Sequence, residues 1–339
     1  MAVTVALDTM GGDHGADIVI PAALTALGND PELCLILVGV EDVLRETLKK
    51  HKASESSRLT IVHASQTVAM DEAPALALRT KKDSSMRVGI NLVKNGEAQA
   101  CVSAGNTGAL MATARFVLRM LPGIDRPAIL AALPTMKGYT HVLDLGANID
   151  TRADHLYQFA VMGAEVVKAV ENIDRPSVGL LNIGEEEIKG NETVKEAAKM
   201  LMQSDLNYIG YLEGDDIYRG AADVVVCDGF VGNVALKTSE GVAEMVRHFL
   251  RQEFNASLWR RLVAKLAMPV LRAFRDKIDG RHYNGASLVG LQGIVIKSHG
   301  GADALAFANA IKVAKLEVIK AVPRNISTQL ESRLMAKNC

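Results

Sequence analysis

The stretch Ala100-Cys101-Val102-Ser103-Ala104-Gly105-Asn106-Thr107-Gly108-Ala109-Leu110-Met111 decides how this chain is read. Its first residues are small and apolar, as at the end of a short buried strand. A polar turn with two glycines follows, and then the start of a helix. Gly105 and Gly108 let the backbone take φ > 0 and approach a ligand closely, and Asn106 or Thr107 is suited to cap the helix. Such a junction turns backbone N–H groups outward at the positive end of a helix dipole, which favours a phosphate or carboxylate. A capped turn that binds nothing has the same sequence, so one copy decides little.

Working outward, the pattern repeats. Short apolar strands are expected at Val3 to Leu7, Leu33 to Val38, Leu59 to His63, Ile129 to Leu133, Thr140 to Leu145, Ser177 to Leu181, Asn207 to Tyr211, Val224 to Val226 and Gly293 to Lys297. Helical segments separate them, the longest from about Asp154 to Glu171, with Leu156, Phe159, Ala160, Gly163, Val166 and Val167 at helical spacing. This alternation predicts an α/β fold, a three-layer sandwich whose mostly parallel mixed sheet is covered on both faces. Residues 1–339 read as one α/β unit, in one body or as two lobes around one cleft, and the polar residues after Pro323 read as loosely held. Six strand ends, at Asp8, Ser103, Asp144, Asn182, Asp228 and Ser298, run into Gly/Asn/Asp/Ser turns. Ligands of parallel sheets bind beyond the carboxyl ends of strands, so all six turns are expected to converge on one cleft.

Composition narrows the class. With 339 residues, 49% hydrophobic, 23% charged and a net charge of −1, the chain is an ordinary globular protein and no nucleic-acid binder. Cys34, Cys101, Cys227 and Cys339 show no CxxC spacing and read as reduced, mostly buried thiols of a cytoplasmic protein. The N-terminus has no basic leader and no cleavage site, and no apolar run approaches the ~18 residues of a membrane span. There is no GxGxxG after a strand, no GxxxxGK[ST], no HExxH and no GxSxG, so neither a nucleotide fingerprint nor a resident cofactor or metal is expected. Asp8, Asp13, Asp144, Asp150 and Asp228 are able to hold a divalent cation, and equally able to cap helices or fix turns. Cys101 and Cys227, at strand ends, read as small core residues before acyl-accepting nucleophiles. His14 and His299 lie in glycine-rich turns and are the better histidine candidates for a site. Lys189, in Glu185-Glu186-Glu187-Ile188-Lys189-Gly190-Asn191-Glu192, follows a buried strand and is suited to hold phosphate or an oxyanion.

One segment differs from the rest. Between Arg247 and Arg281 nine Lys/Arg stand against Glu253, Asp276 and Asp279, a charge of +6 that leaves −7 for the remainder of the chain. Leu258, Trp259, Leu262, Val263 and Leu266 form one apolar helical face, with Arg260, Arg261 and Lys265 opposite, and Pro269 is expected to kink or end this helix. Residues 244–282 therefore read as a projecting basic amphipathic segment for a membrane surface or an acidic protein.

Taken together, Ala6-Leu7-Asp8-Thr9-Met10-Gly11-Gly12-Asp13, Ser103 to Ala109, Asp144 to Asn148, Asn182 to Glu186 with Lys189 to Glu192, Cys227 to Asn233 and Ser298-His299-Gly300 resemble the phosphate acyltransferase (PlsX) family of bacterial phospholipid synthesis, in order from residue 5 to about 320. The resemblance implies a fold like that of isocitrate and isopropylmalate dehydrogenases, shared with phosphotransacetylases, and a homodimer. It implies conversion of acyl-[acyl carrier protein] and orthophosphate to acyl phosphate and free carrier protein. The product would feed a membrane glycerol-3-phosphate acyltransferase, and the enzyme would associate peripherally with the membrane. On this reading Lys189 is catalytic, and Asp8, Gly11, Gly12, His14, Ser103, Gly105, Asn106, Thr107, Asn148, Asn191, Asp228, Asn233 and His299 bind phosphate or substrate. Leu258, Trp259, Arg260, Arg261, Leu262, Lys265 and Leu266 would meet the membrane or the carrier protein.

Overall fold

Strand-forming Val, Ile and Leu runs alternate with capped helices over most of the chain, and the computed structural model shows what they build. It describes residues 2–337, with Ile278 and residues 331–337 given by backbone alone; Cys339 lies outside the described residues. In order the elements are β1 (Val3–Asp8), α1 (Ala16–Asn29), β2 (Leu33–Gly39), α2 (Glu41–Lys50), β3 (Leu59–His63), α3 (Pro74–Thr80), α4 (Ser85–Asn95), β4 (Ala100–Ser103), α5 (Thr107–Leu118), β5 (Ala128–Thr135), β6 (Gly138–Leu143) and α6 (Ala153–Glu171). There follow β7 (Ser177–Leu181), α7 (Glu192–Met202), β8 (Asn207–Leu212), α8 (Asp216–Arg219), β9 (Val224–Val226), α9 (Gly229–Asn255), α10 (Leu258–Ile278), β10 (Ala286–Val289), β11 (Ile294–Lys297), α11 (Ala304–Ile319) and α12 (Val322–Lys337).

All the strands join one sheet in the order β3-β2-β1-β4-β11-β10-β5-β6-β9-β7-β8. Its pairings are parallel except for the three made by β10 and β5: β10 with β11, β10 with β5, and β5 with β6. Three reversals in succession invert the sheet's polarity, so β6, β9, β7 and β8 run opposite to β1, β4 and β11. The six glycine-rich turns therefore do not leave from one edge. Those after β1, β4 and β11 leave one edge and those after β6, β9 and β7 the edge that faces it: Ser287 stands opposite both Ile296 and Leu130, and Ala131 opposite Val142, so β11 and β6 reach their carboxyl ends at one level from opposite directions. β10, a short strand absent from the sequence reading, takes part in two of the three reversals.

Strand alternation splits the core into two faces. Leu7, Val102, Ile296, Leu143 and Val226 point toward α1, α2, α11, α6, α7 and α12, while Ala6, Cys101, Val295, Val142 and Val225 point toward α4, α5 and the start of α9. The layers are thus helix, sheet, helix. Up to Leu330 the tail after Pro323 is not loosely held. It continues as α12, which lies along α6 and buries Val322, Ile326 and Leu330.

Helices α9 and α10 form a hairpin that packs chiefly on itself. Gly229 and Gly232 of α9 are buried, whereas residues 240–253 are exposed. Helix α10 turns Ala264, Ala267 and Leu271 inward, and leaves Leu258, Trp259, Leu262 and Leu266 outside at 83, 69, 47 and 75% exposure. Pro269 neither ends nor interrupts α10.

Replacing Ile326 by Ala tests the docking of α12. Loss of a buried isoleucine of this kind costs roughly 2–5 kcal/mol, read as a lower midpoint in urea unfolding. A change below about 1 kcal/mol would mean that α12 adds nothing to the core.

Candidate active site

At the carboxyl ends of β1, β4 and β11, three polar residues stand in one transverse row. Asp8 pairs in register with Ser103, and Ser103 with Lys297. Since Leu7, Val102 and Ile296 share the opposite face, these three side chains leave on the side of α4 and α5. All are buried, at 1, 0 and 8% exposure. Ser103 Oγ donates to Asp8 Oδ2 and Ser85 Oγ, at the first turn of α4, donates to Oδ1, both at 2.6 Å. Burial raises the Asp8 pKa, and bonds from the two hydroxyls and from the Met10 and Gly11 N–H groups oppose that rise. Asp8 and Ser103 are consumed in holding the turns; they do not face a ligand directly.

The turns above this row are sewn together. Gly105 N donates to Ser103 Oγ, Asp13 N to Gly300 O, and Ser298 N to Ser103 O. Lys297 Nζ donates to the Ala104 and Ser298 carbonyls. Asn284 ties the β11 turn to the foot of the hairpin: its Nδ2 donates to Ser298 Oγ, and its Oδ1 accepts from His299 N. At Gly11 a Cβ would lie 2.5 Å from Asp8 Oδ2 and 2.7 Å from Gly105 N, so only glycine allows the first two turns to meet. The positive φ falls at Gly12 (84°) and not at Gly105 or Gly108, which instead make room for the side chains of Met86 and Pro74. Asn106 is the cap of α5: it accepts from Ala109 N and donates to Met70 O and Glu72 O. That leaves the N–H groups of Thr107 and Gly108, in the exposed first turn of α5, without intrahelical partners. His14 and His299 are exposed at the rim, and His299 Nδ1 accepts from Gly301 N.

The other edge carries the remaining candidates. Asp144 is buried and accepts from the N–H groups of Ile129, Gly146, Ala147 and Asn148, and from Asn148 Nδ2. Asn148 Nδ2 also donates to Pro127 O. Asp228 caps α9 and Asn191 caps α7, and Asn233 Nδ2 contacts Leu145 O at 3.4 Å. Of the five aspartates open to metal binding or turn fixing, Asp8, Asp144 and Asp228 thus fix turns and caps. Lys189 is exposed on the loop after β7, its stem against Gly184, with no ion-pair partner among the described residues. β7 lies seven strands from β1 in the sheet order, and no hydrogen bond or ion pair joins Lys189 to Asp8 among the described residues. Burial raises the Cys101 and Cys227 thiol pKa values, as befits core residues and not nucleophiles.

Sequence reasoning missed Lys297, Ser85 and Asn284. Lys297 carried a readable signal, a lone charge closing the apolar run Ile294-Val295-Ile296. Ser85 and Asn284 carried none, because their partners are distant in sequence. Among the described residues one group has metal-ligand spacing, Asp125, Asp154 and His155.

Replacing Ser103 by Ala removes a bond that favours the Asp8 carboxylate. Its cost is therefore greatest above the folded-state pKa of Asp8 and shrinks as pH falls through that value. We expect a loss of about 1–3 kcal/mol in urea unfolding at an alkaline pH, and a smaller loss at an acid one. Equal losses at the two pH values would contradict this account of the row.

Comparison with known proteins agrees with this architecture. The family model described as "Fatty acid synthesis protein" matches residues 3–325. The phosphate acyltransferase of Alkalilimnicola ehrlichii is 63% identical over 336 residues, covering 99% of this chain and 98% of that one. The phosphate acyltransferase of Methylococcus capsulatus is 62% identical, with 99% of both covered. Among solved structures, a phosphotransacetylase from Streptococcus pyogenes (TM-score 0.63, 20% identity) and the EutD phosphotransacetylase from Staphylococcus aureus (TM-score 0.62, 16% identity) each superpose over 94% of both chains. The likeness to these two is one of fold. The match along nearly its whole length shows that this chain belongs to the phosphate acyltransferase family of acyl-transferring enzymes.

Proposed function

We propose that this protein transfers an acyl group from the thioester of acyl carrier protein to orthophosphate, for phospholipid synthesis. The observation that carries the reading is the first edge: three glycine-rich turns locked together beside the open first turn of α5, with a buried ammonium beneath them. Relatives at this identity that are named for acyl transfer to phosphate support it.

The chemistry asks little of acids and bases. Hydrogen phosphate is already anionic near neutral pH, and a thiolate leaves readily. A phosphate oxygen attacks the thioester carbonyl carbon, and the tetrahedral oxyanion collapses with cleavage of the C–S bond. The electron pair leaves on sulfur, and the proton of hydrogen phosphate ends on the carrier thiol. What the protein supplies is position and electrostatic stabilisation. The N–H groups of Thr107 and Gly108 would orient phosphate, with His14 and His299 at the rim. Lys189 would serve the oxyanion from the loop after β7.

The exposed faces of α9 and α10 are proposed as the surface that meets the membrane, the acidic carrier protein, or a second copy in a homodimer. Their apolar residues and the +6 charge of Arg247 to Arg281 fit an anionic lipid surface.

The deciding assay offers acyl carrier protein thioester or coenzyme A thioester with phosphate and traps acyl phosphate with hydroxylamine. Phosphate-dependent hydroxamate with the carrier thioester is expected. Product only from the coenzyme A thioester would reassign the donor, and no product would leave a non-enzymatic role in lipid synthesis. Lys189→Ala is expected to lower kcat more than about tenfold with little change in the KM for phosphate, as for a group acting in the transition state. An unchanged kcat would confine the chemistry to the first edge. Replacing Leu258, Leu262 and Leu266 together by Gln should weaken binding to anionic vesicles by about tenfold or more while leaving the unfolding midpoint in place. Unchanged vesicle binding would remove the hairpin from the membrane.

A further inference from the structure

Lys297 is the one member of the transverse row whose reason for being buried the proposed function does not supply. A lysine is seldom buried without a partner, and here its ammonium is held by two backbone carbonyls, Ala104 O at 3.0 Å and Ser298 O. Those carbonyls belong to different turns, one after β4 and one after β11. The side chain is thus a strut between two of the three loops that form the first edge. It is also the cation nearest to a difficulty in that edge. Asp8 is a buried carboxylate under the turns, and a fixed negative charge there opposes the entry of an anion.

We propose that Lys297 is a positioning residue for the acyl acceptor: its ammonium clamps the Ala104 and Ser298 turns at the spacing that admits one phosphate, and its charge offsets that of Asp8 so that an anion is accepted. The inference rests on the phosphate-acceptor reading above. Lys297 does not touch phosphate; it acts through the two turns and through its field. The groups that face it are Asp8 of β1 and Asp13 of the following loop, which favour its charge, and Lys237 of α9, which opposes it. Residues of β10 and β4 beside it are Ala286 and Ser103, which are not acidic or basic at ordinary pH. Burial lowers the Lys297 pKa to about 8. In the free protein the charge is therefore present below that pH and lost above it.

The test uses the full chain with inorganic phosphate as ligand, comparing wild type, Lys297→Met and Lys297→Arg from about pH 6.5 to 9.5. Binding of inorganic phosphate is measured by calorimetry, and KM and kcat by hydroxylamine trapping. Near pH 7, Lys297→Met should bind phosphate at least tenfold more weakly, with kcat changed less than threefold. The ratio of its KM to that of wild type should shrink as pH rises through about 8, because wild type then loses the same charge; taking a ratio cancels the titration of phosphate itself. Lys297→Arg, charged throughout, should keep a low KM and lose the break near pH 8. A Met variant within twofold of wild type, or a KM ratio that does not vary with pH, overturns the proposal. If Lys297→Met does not fold, the Arg profile decides alone: a break near pH 8 retained in Lys297→Arg overturns it. Absence of phosphate-dependent turnover in wild type would count against the acceptor reading and not against the clamp, which the calorimetric arm still measures.

Discussion

A carboxylate, a hydroxyl and an ammonium lie side by side beneath the carboxyl ends of three parallel strands, and the first edge of the sheet is organised around them. Buried charges persist only when hydrogen-bonded or balanced. Asp8 meets this demand by drawing Ser85, Ser103 and the Met10 and Gly11 N–H groups onto its two oxygens. Each bond places an element: Ser85 anchors the start of α4, Ser103 the turn before α5, and Gly11 the loop before α1. Lys297 meets the same demand by taking two carbonyls, which places the turn after β11.

A second constraint is the reversal of strand direction at β10 and β5. It brings two sets of strand ends to facing edges of a single sheet, with one set of glycine-rich turns on each. The second set is organised like the first, around a buried carboxylate. Asp144 gathers four backbone N–H groups and the Asn148 amide, and Gly232 lies so close to the Asp144 carbonyl that a side chain there would overlap it. Helix α9 starts on this second edge, and its Lys237 lies within the electrostatic reach of Lys297 at the first. The hairpin returns through Asn284, which bonds Ser298 and the His299 N–H. The projecting segment is thereby tied to the first edge at its foot.

Much of the secondary structure was legible in the chain. The apolar runs at Val3 to Leu7 and Leu33 to Val38, and the helical stripe of α6, lie within a residue or two of the structure, because each depends on near neighbours. The polar candidates were legible as residues but not as roles. Asn106 and Asp228 carried both readings, cap and ligand, and Asn191 only that of a ligand; each is a helix cap, since the same short polar side chains serve both. The tail after Pro323 read as polar because Val322, Ile326 and Leu330 are widely spaced, and only the presence of α6 makes that spacing a buried face.

By itself, then, the sequence determined the alternation of strands and helices, the places where turns must be tight, the exposed basic hairpin and the family. Each of these follows from residue type and local period, or from motifs that keep their order along the chain. Tertiary structure alone decided which turns share an edge, that Asp8, Ser103 and Lys297 form one row, and that Lys189 stands on the loop of the facing edge. Strand direction and register are long-range properties, set by which strands pair across more than a hundred residues. No local pattern carries that information.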